Sequence, residues 1–508
     1  MDAIIIETKA QMDAAADHIW LLQTQSSYMR RYVRSIQQNA VLNELGSDEI
    51  LQVMVGELFH DIIVVWFWQS VLDEFYNAKN LHGRFRDNIA PGQPLPRKYH
   101  EALGALELLL VNSMHSQSKH LQEIIPQRPG FHHLWTFERI PGGKFTMKRK
   151  TNNSITKLFD EDPLDWCLMQ LQGAPDEQRR FDYGMLFDFL DEHLAQCSAK
   201  ERARLDEILF AKLSTYAATS ELLCAIRLHR PQNKFRDVLE VIQNNDRLAW
   251  RFYVRAKEPP QDAQSTMATL LKKFCDVGPS SGRRDTASLK HFEATNRTLQ
   301  DFWRSVATAL RAEVAEQNLP EGDVEKILGF LLGHESPEHL KALQAEKERI
   351  LREIEVSAAP AGGEASFGTE SSVAAVAKPD IQQRKTKVKT RPQDTPKQPG
   401  TQITMAHKRS FDVFMAMFPA SGQEASRLVD WDTFVLAMSD AGFSARNNGG
   451  SAVVFQNNGP ETSAHGGKII FHKPHPVPKI DPVMLHSMGK RMNRWFDWRR
   501  DTFILGSS

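Results

Sequence analysis

Three groupings of side chains in this sequence have types and spacing that could do chemistry. The first is cationic: Lys490, Arg491 and Arg494 crowd one stretch near the carboxy terminus, Arg499 and Arg500 follow, and Lys468, Lys473 and Lys479 precede it. Positive side chains on one side of a small fold neutralise phosphates, so this grouping is the candidate nucleic-acid contact. Asp481, Asp497 and Asp501 lie among these residues and leave a solvated helix face as the plainer alternative. The second grouping is His472 and His475, an acid–base pair by residue type, although histidines beside Pro474 and Pro476 read more simply as turn residues. The third is scattered. His115 and His120 lie on different faces of a helix, and His132-His133 sit in an aromatic stretch where ring stacking outweighs metal ligation.

Other familiar constellations are missing. Gly142-Gly143-Lys144 lacks the upstream glycine and the following Ser/Thr of a phosphate loop, and neither a Gly-x-Ser-x-Gly elbow nor a His-Glu-x-x-His pair occurs. Cys167, Cys197, Cys224 and Cys275 are too far apart for a metal knuckle or a dense disulfide framework and are expected to be reduced. Asp61 and Glu74 stand on apolar helical stretches with no partner that spacing identifies. The expectation is therefore no catalytic residue, no metal and no cofactor.

The elements that must position these groups divide the 508 residues into three parts. Residues 1–356 read as a mainly α body: Leu51, Met54, Leu58, Ile62 and Val65 recur at three- and four-residue steps after Ser47, and similar stripes follow through Leu106, Leu190, Leu213, Ile226 and Phe252. Residues 126–153 interrupt it as an irregular or short-strand insertion, and residues 277–287 read as a loop. The run Ile62–Trp68 is too short to span a bilayer, and the amino terminus lacks a secretory pattern, so no membrane is expected and an intracellular, cytoplasmic or nuclear, location is. Residues 357–401 have the composition of a disordered basic linker, with Arg384, Lys385, Lys387, Lys389 and Arg391 close together. The chain has 63 basic and 63 acidic residues, but that balance conceals a tail, 402–508, with 12 basic against 9 acidic. Nucleic-acid contact, if made, must be local.

Residues 402–508 read as a small α+β module. Asp430 is placed to cap a helix burying Phe434 and Met438, which ends at Ala441-Gly442. Three β-prone runs follow, at 443–446, 451–456 and 468–472. A last helix starts with Asp481 as cap and Pro482 in the first turn, and carries Leu485, Met488, Met492 and Trp495 on one stripe.

This α-β-β-β-α order, with Gly450-Ser451-Ala452 and Phe471-His472-Lys473-Pro474-His475-Pro476, resembles the HicA family of toxin mRNA interferases, which have a double-stranded-RNA-binding-like fold. The resemblance places the family's catalytic histidine on Ala452. Alanine cannot transfer a proton, so binding rather than cleavage is expected. The whole chain also resembles a group of uncharacterised filamentous-fungal proteins, through Asp17-His18-Ile19-Trp20-Leu21-Leu22 and Tyr28, Asp162-Pro163-Leu164-Asp165-Trp166-Cys167-Leu168, Arg227-Leu228-His229-Arg230-Pro231, the two tail motifs above and Met488-Gly489-Lys490-Arg491. That resemblance implies a helical body with a HicA-like tail. Together these readings describe a non-enzymatic binding protein whose module contacts RNA through Lys468, Lys473, His475, Lys490, Arg491 and Arg494. The alternatives are a scaffold whose body binds protein partners, and a repurposed ribonuclease using His472 or His475.

Overall fold

Helix α1 (Asp2–Thr24) buries Ile5, Ile19 and Leu22, and it also buries the polar Thr8, Gln11, Asp17 and Gln23. A helix covered on nearly every side needs two layers around it. The body provides one and the carboxy-terminal module the other. The computed structural model describes residues 1–38, 47–139, 145–150, 155–173, 181–230, 260–279, 285–315, 321–358, 402–419, 428–447, 452–458, 467–474 and 478–506. The expected helix around 238–252 lies outside the described residues, and so does the expected linker, 357–401, except that Ser357 and Ala358 end the last helix of the body.

After α2 (Ser26–Gln37) comes α3 (Ser47–Arg84), a helix of 38 residues that contains the apolar run seen in the sequence. By length and composition alone α3 could cross a membrane, as the shorter run could not. Its Met54, Leu58, Ile62, Val65, Trp68, Val71 and Phe75 are instead packed into the body core. α4 (Arg97–Ile124) lies along it. The interruption at 126–153 contains an antiparallel hairpin, β1 (Trp135–Arg139) with β2 (Phe145–Arg149), beside which His132 stacks on Phe137 at 4.6 Å as its aromatic setting suggested.

Helices α5 (Ile155–Glu161), α6 (Pro163–Leu171), α7 (Tyr183–Gln196), α8 (Ala199–Arg202) and α9 (Glu207–His229) follow. Asp162, Asp182 and Asp206 start α6, α7 and α9 by accepting main-chain N–H groups of the first turn. Then come α10 (Gln261–Val277), α11 (Thr286–Ala315), α12 (Glu321–Leu328), a 3-10 segment at 329–335 and α13 (Pro337–Ala358). Trp303 Nε1 donates to the Leu22 carbonyl at 3.0 Å and Trp66 Nε1 to that of Ile327 at 2.8 Å. These bonds close the body across more than 250 positions of sequence.

The module has its own core, with Phe414, Trp431, Phe434, Phe455, Phe471, Met488 and Trp498 buried together. Its elements are β3 (Ile403–Met405), α14 (Lys408–Met417), β4 (Val429–Asp430), α15 (Trp431–Asp440), β5 (Phe443–Asn447), β6 (Ala452–Asn457), β7 (Lys468–His472), β8 (Lys479–Ile480), α16 (Pro482–Phe496) and β9 (Phe503–Leu505). Helix, three strands and helix thus occur in the expected order, and β5, β6 and β7 form an antiparallel sheet in that sequence. Two further pairings frame it, β3 parallel to β9 and β4 antiparallel to β8. Asp481 caps α16 as expected, accepting from the Met484 N–H at 2.9 Å. Asp430 does not cap α15 with its side chain; the Trp431 N–H beside it donates to the Pro478 carbonyl, so the β4–β8 arm fixes that helix start. On α16, a Cβ at Gly489 would stand 2.8 Å from the Met417 carbonyl, so only glycine lets α14 lie this close.

Alternation along β6 and β7 decides how the module meets the body. Val453, Phe455, Ile469 and Phe471 point into the module core. Val454 and Ile470, paired in register, point the other way and pack on Ala10 and Ala14 of α1. Both sheet faces are therefore buried, which is why the two strands read as nearly continuous apolar runs.

Candidate functional site

The helical body and the module meet around two carboxylates. Asp17 of α1 is wholly buried and accepts three hydrogen bonds from α16: Arg491 Nε at 2.8 Å, Arg494 Nη1 at 3.0 Å and Trp495 Nε1 at 2.6 Å. Arg491 also donates to the Ile470 carbonyl at 2.8 Å and lies over the Phe471 ring, while Arg494 lies 5.3 Å from the Trp20 ring. Residues one turn apart on α16 share a face, so one buried acid gathers all three. A second tie runs through Arg31 of α2, which binds Asp481 at the cap of α16 and Glu207 at the start of α9.

Beside this clasp lies a cavity of about 240 Å³, walled by α1, α2, α3, α4 and α9 from the body and by β7, the turn after it and α16 from the module. Asp61 of α3 is its polar centre. Its carboxylate accepts from Lys212 Nζ at 2.9 Å and from the Tyr32 hydroxyl, and it lies 3.3 Å from His18 Nε2; His18 Nδ1 is in turn 2.9 Å from the Tyr28 hydroxyl. His60 and His120 stack at 4.0 Å on the same side, with Glu57 3.7 Å from both His120 and Lys212. His472, Lys473 and Met484 line the module side.

Burial sets the protonation of these groups. It pushes the Tyr28 and Tyr32 phenols up, and the neighbouring carboxylates Glu207 and Asp61 push in the same direction. It drives His60 well down, His120 down to about 3 and His472 down to about 4, so the three imidazoles are neutral. Burial alone would raise Asp61, but Lys212, His18 and Tyr32 hold it well below the usual carboxylate range. Burial would likewise lower Lys212, and Asp61 and Glu57 more than reverse it.

No protein-family model, curated protein or solved structure matches this chain.

The residues singled out from the sequence fall on both sides of the clasp. Arg491 is a correction: it is buried and bonded inside the chain, and does not face solvent where a phosphate could reach it. Arg494 keeps 40% of its side chain exposed but is committed to Asp17. Lys490 is half-buried, and burial lowers it despite Glu346 nearby. Lys468 pairs with Glu7 of α1 at 3.6 Å, and Lys473 lines the cavity. His475 lies outside the described residues. Sequence reasoning missed Tyr32, His60 and Lys212, and it carried His18 and Tyr28 only as resemblance motifs with no role at a site. The available signal was a lone charge within an apolar helix, Asp61 among Ile62, Ile63 and Val64, whose partner Lys212 is 151 positions away. Among the described residues no group of three His, Cys, Asp or Glu side chains could hold a metal ion, and all four cysteines are free.

Proposed function

We propose that this chain is a non-enzymatic binding protein whose ligand is a small molecule held between the helical body and the carboxy-terminal module. The observation that carries the reading is the cavity between the two parts, with a hydrogen-bonded, charge-paired polar centre and aromatic walls, the usual make-up of a small-molecule site. Binding is favoured over catalysis because Tyr28, Tyr32, His60, His120, His472, Asp61 and Lys212 all have their pKa moved further from pH 7, with Glu57 alone shifted towards it, and a general acid or base works best with a pKa near the operating pH.

The module is read as HicA-like, and its order of helix, three antiparallel strands and helix supports this. Ala452, at the position of that family's catalytic histidine, is the register partner of His472, which lines the cavity. The module is in this reading an RNA-binding-type fold recruited to close a ligand site. The motifs that carry the resemblance to the filamentous-fungal group support the same view. Asp17-His18, Tyr28, His472-Lys473 and Met488-Gly489-Lys490-Arg491 are distant in sequence and contribute neighbours to one interface.

The test incubates the full chain with a protein-free small-molecule extract, removes unbound material by gel filtration and identifies by mass spectrometry what denaturation releases. A compound retained by the wild-type chain and lost from Ala211→Trp, which fills the cavity from an exposed wall position, is the expected result. Retention of nothing, or equal retention by the variant, would sink the reading.

A further inference from the structure

We infer that the cavity takes a monocarboxylic acid with an apolar body, its carboxylate paired with Lys473 of the module and its hydrocarbon part held between the two parts of the chain; this deepens the proposed function and rests on it. The polar groups at the centre of the cavity are committed to one another. Asp61 offers one oxygen to Lys212 and the other to Tyr32 and His18, and the second ring nitrogen of His18 meets the Tyr28 hydroxyl. Gln11 Nε2, Gln117 Oε1 and His120 Nε2 have no hydrogen-bond partner among the described residues, but each is closed off behind the surface, where no atom of a ligand reaches it. What the wall offers away from Lys473 is therefore mainly apolar, with Val64, Trp68, Leu121, Phe210 and Phe471 in the lining. A hydrocarbon or aromatic body suits it. Its volume, about 240 Å³ against the roughly 150 Å³ that holds benzene in an engineered cavity, has room for about ten heavy atoms.

The second observation is charge. Four cations line the cavity, Arg31, Lys212, Lys473 and Arg491, against two carboxylates, Asp61 and Glu207. Three of the four have acids of their own. Lys212 faces Asp61 and Glu57, Arg491 shares Asp17 with Arg494, and Arg31 serves Glu207 and Asp481, both of which reach solvent. Lys473 has no carboxylate partner among the described residues. It directly follows β7 and is half-buried, so its stem lines the wall while its ammonium stays at the boundary with water. A carboxylate meeting it there keeps part of its own hydration and gains a charge-assisted hydrogen bond. One unmatched cation calls for one negative charge. An ammonium ligand would be repelled, and a dianion would bring a second charge with no counterpart, at the cost of its desolvation.

Calorimetric titration of the full chain with two head-group series tests the inference: octanoate, octanamide and octylamine, and 3-phenylpropanoate, 3-phenylpropanamide and 3-phenylpropylamine. The acid of at least one series should bind, with its amide about tenfold or more weaker and its amine weaker still. Lys473→Met should weaken binding of that acid by about tenfold while near-ultraviolet circular dichroism is unchanged, and Lys473→Arg should keep the preference for the acid. Amides or amines binding as well as the acids would overturn the inference, and so would acid affinity unchanged in Lys473→Met. If Ala211→Trp still abolishes that binding, the ligand site itself stands. Binding by no member of either series would overturn the inference alone if the extract experiment retains a compound, and the ligand site as well if that experiment retains nothing.

Discussion

Asp17, wholly buried, and Asp61, with 15% of its side chain exposed, are carboxylates on body helices that accept hydrogen bonds from several groups at once, but their donors come from different places. Every donor to Asp17 belongs to α16 of the module, whereas His18, Tyr32 and Lys212 around Asp61 all belong to the body. The first acid is an intramolecular docking point and the second is part of the framework that shapes the cavity. The difference teaches where the consequences of losing each should appear. A docking contact can be relieved by undocking, so its loss costs no more than the docking free energy. A framework charge has no such escape, because Lys212 would stay among buried neighbours until the body itself unfolds.

The largest effect is therefore expected at Asp61. Asp61→Leu should lower the unfolding free energy by about 3–5 kcal/mol, the range for breaking a buried ion pair from one side, measured by urea unfolding of the full chain. Lys212→Met added to it should recover part of that loss, since the uncompensated ammonium is removed, while Glu57, which loses Lys212 as its partner and is already raised by burial, can take up a proton. If the double variant were as unstable as Asp61→Leu, the packing of the new side chain and not the charge would be responsible, and the contrast with Asp17 would fail.

Asp17→Ala should cost less, about 2–4 kcal/mol at most, because Arg494 can turn its exposed guanidinium to water and the module can leave α1. Its signature is geometric. The radius of gyration from small-angle scattering should grow while helix content stays constant. Release also frees Arg491 and Arg494, so salt-sensitive retention of duplex RNA by Asp17→Ala, absent from the wild-type chain, would favour an RNA role for the undocked module. An unchanged radius would show that apolar packing of Val454 and Ile470 on α1 holds the module without the clasp.

The same comparison explains what the sequence disclosed. Helices with a three- or four-residue apolar stripe, the cap at Asp481 and the order of strands in the module were legible because each depends on residues a few positions apart. Even there, the start of α15 escaped, because its first N–H is held by Pro478 from another part of the chain. The cavity was not legible. Asp61 and Lys212 are 151 positions apart, and Asp17 and Arg491 are 474 apart, so no spacing rule connects them. Arg491 looked like a phosphate contact because helical periodicity shows which residues share a face, and not what covers that face. The doubly apolar β6 and β7 did announce a sheet buried on both sides, and a second layer was the one long-range fact their pattern contained.

Acid should separate the two regions with the smallest perturbation. His472 is on the module, where burial first, and then Arg491 and His18, hold its imidazole down to about 4; His60 and His120 are held down within the body. In the unfolded chain all three take up a proton near pH 6.5. Between that pH and the lower folded values the unfolded state binds more protons, so stability is full above about pH 6.5 and falls as the pH drops towards 4. Each imidazole contributes a slope of at most about 1.4 kcal/mol per pH unit. His339 and His486, also held down to about 4 by burial near Lys490, add to it with the same sign. His472→Gln should leave stability at pH 7.5 little changed and reduce the acid slope by one imidazole's share, and the scattering radius should expand at lower pH than in the wild-type chain. If the variant kept the full wild-type slope and expanded at the same pH, the acid response would lie in the other buried imidazoles, His60, His120, His339 and His486, and His472 would not govern undocking.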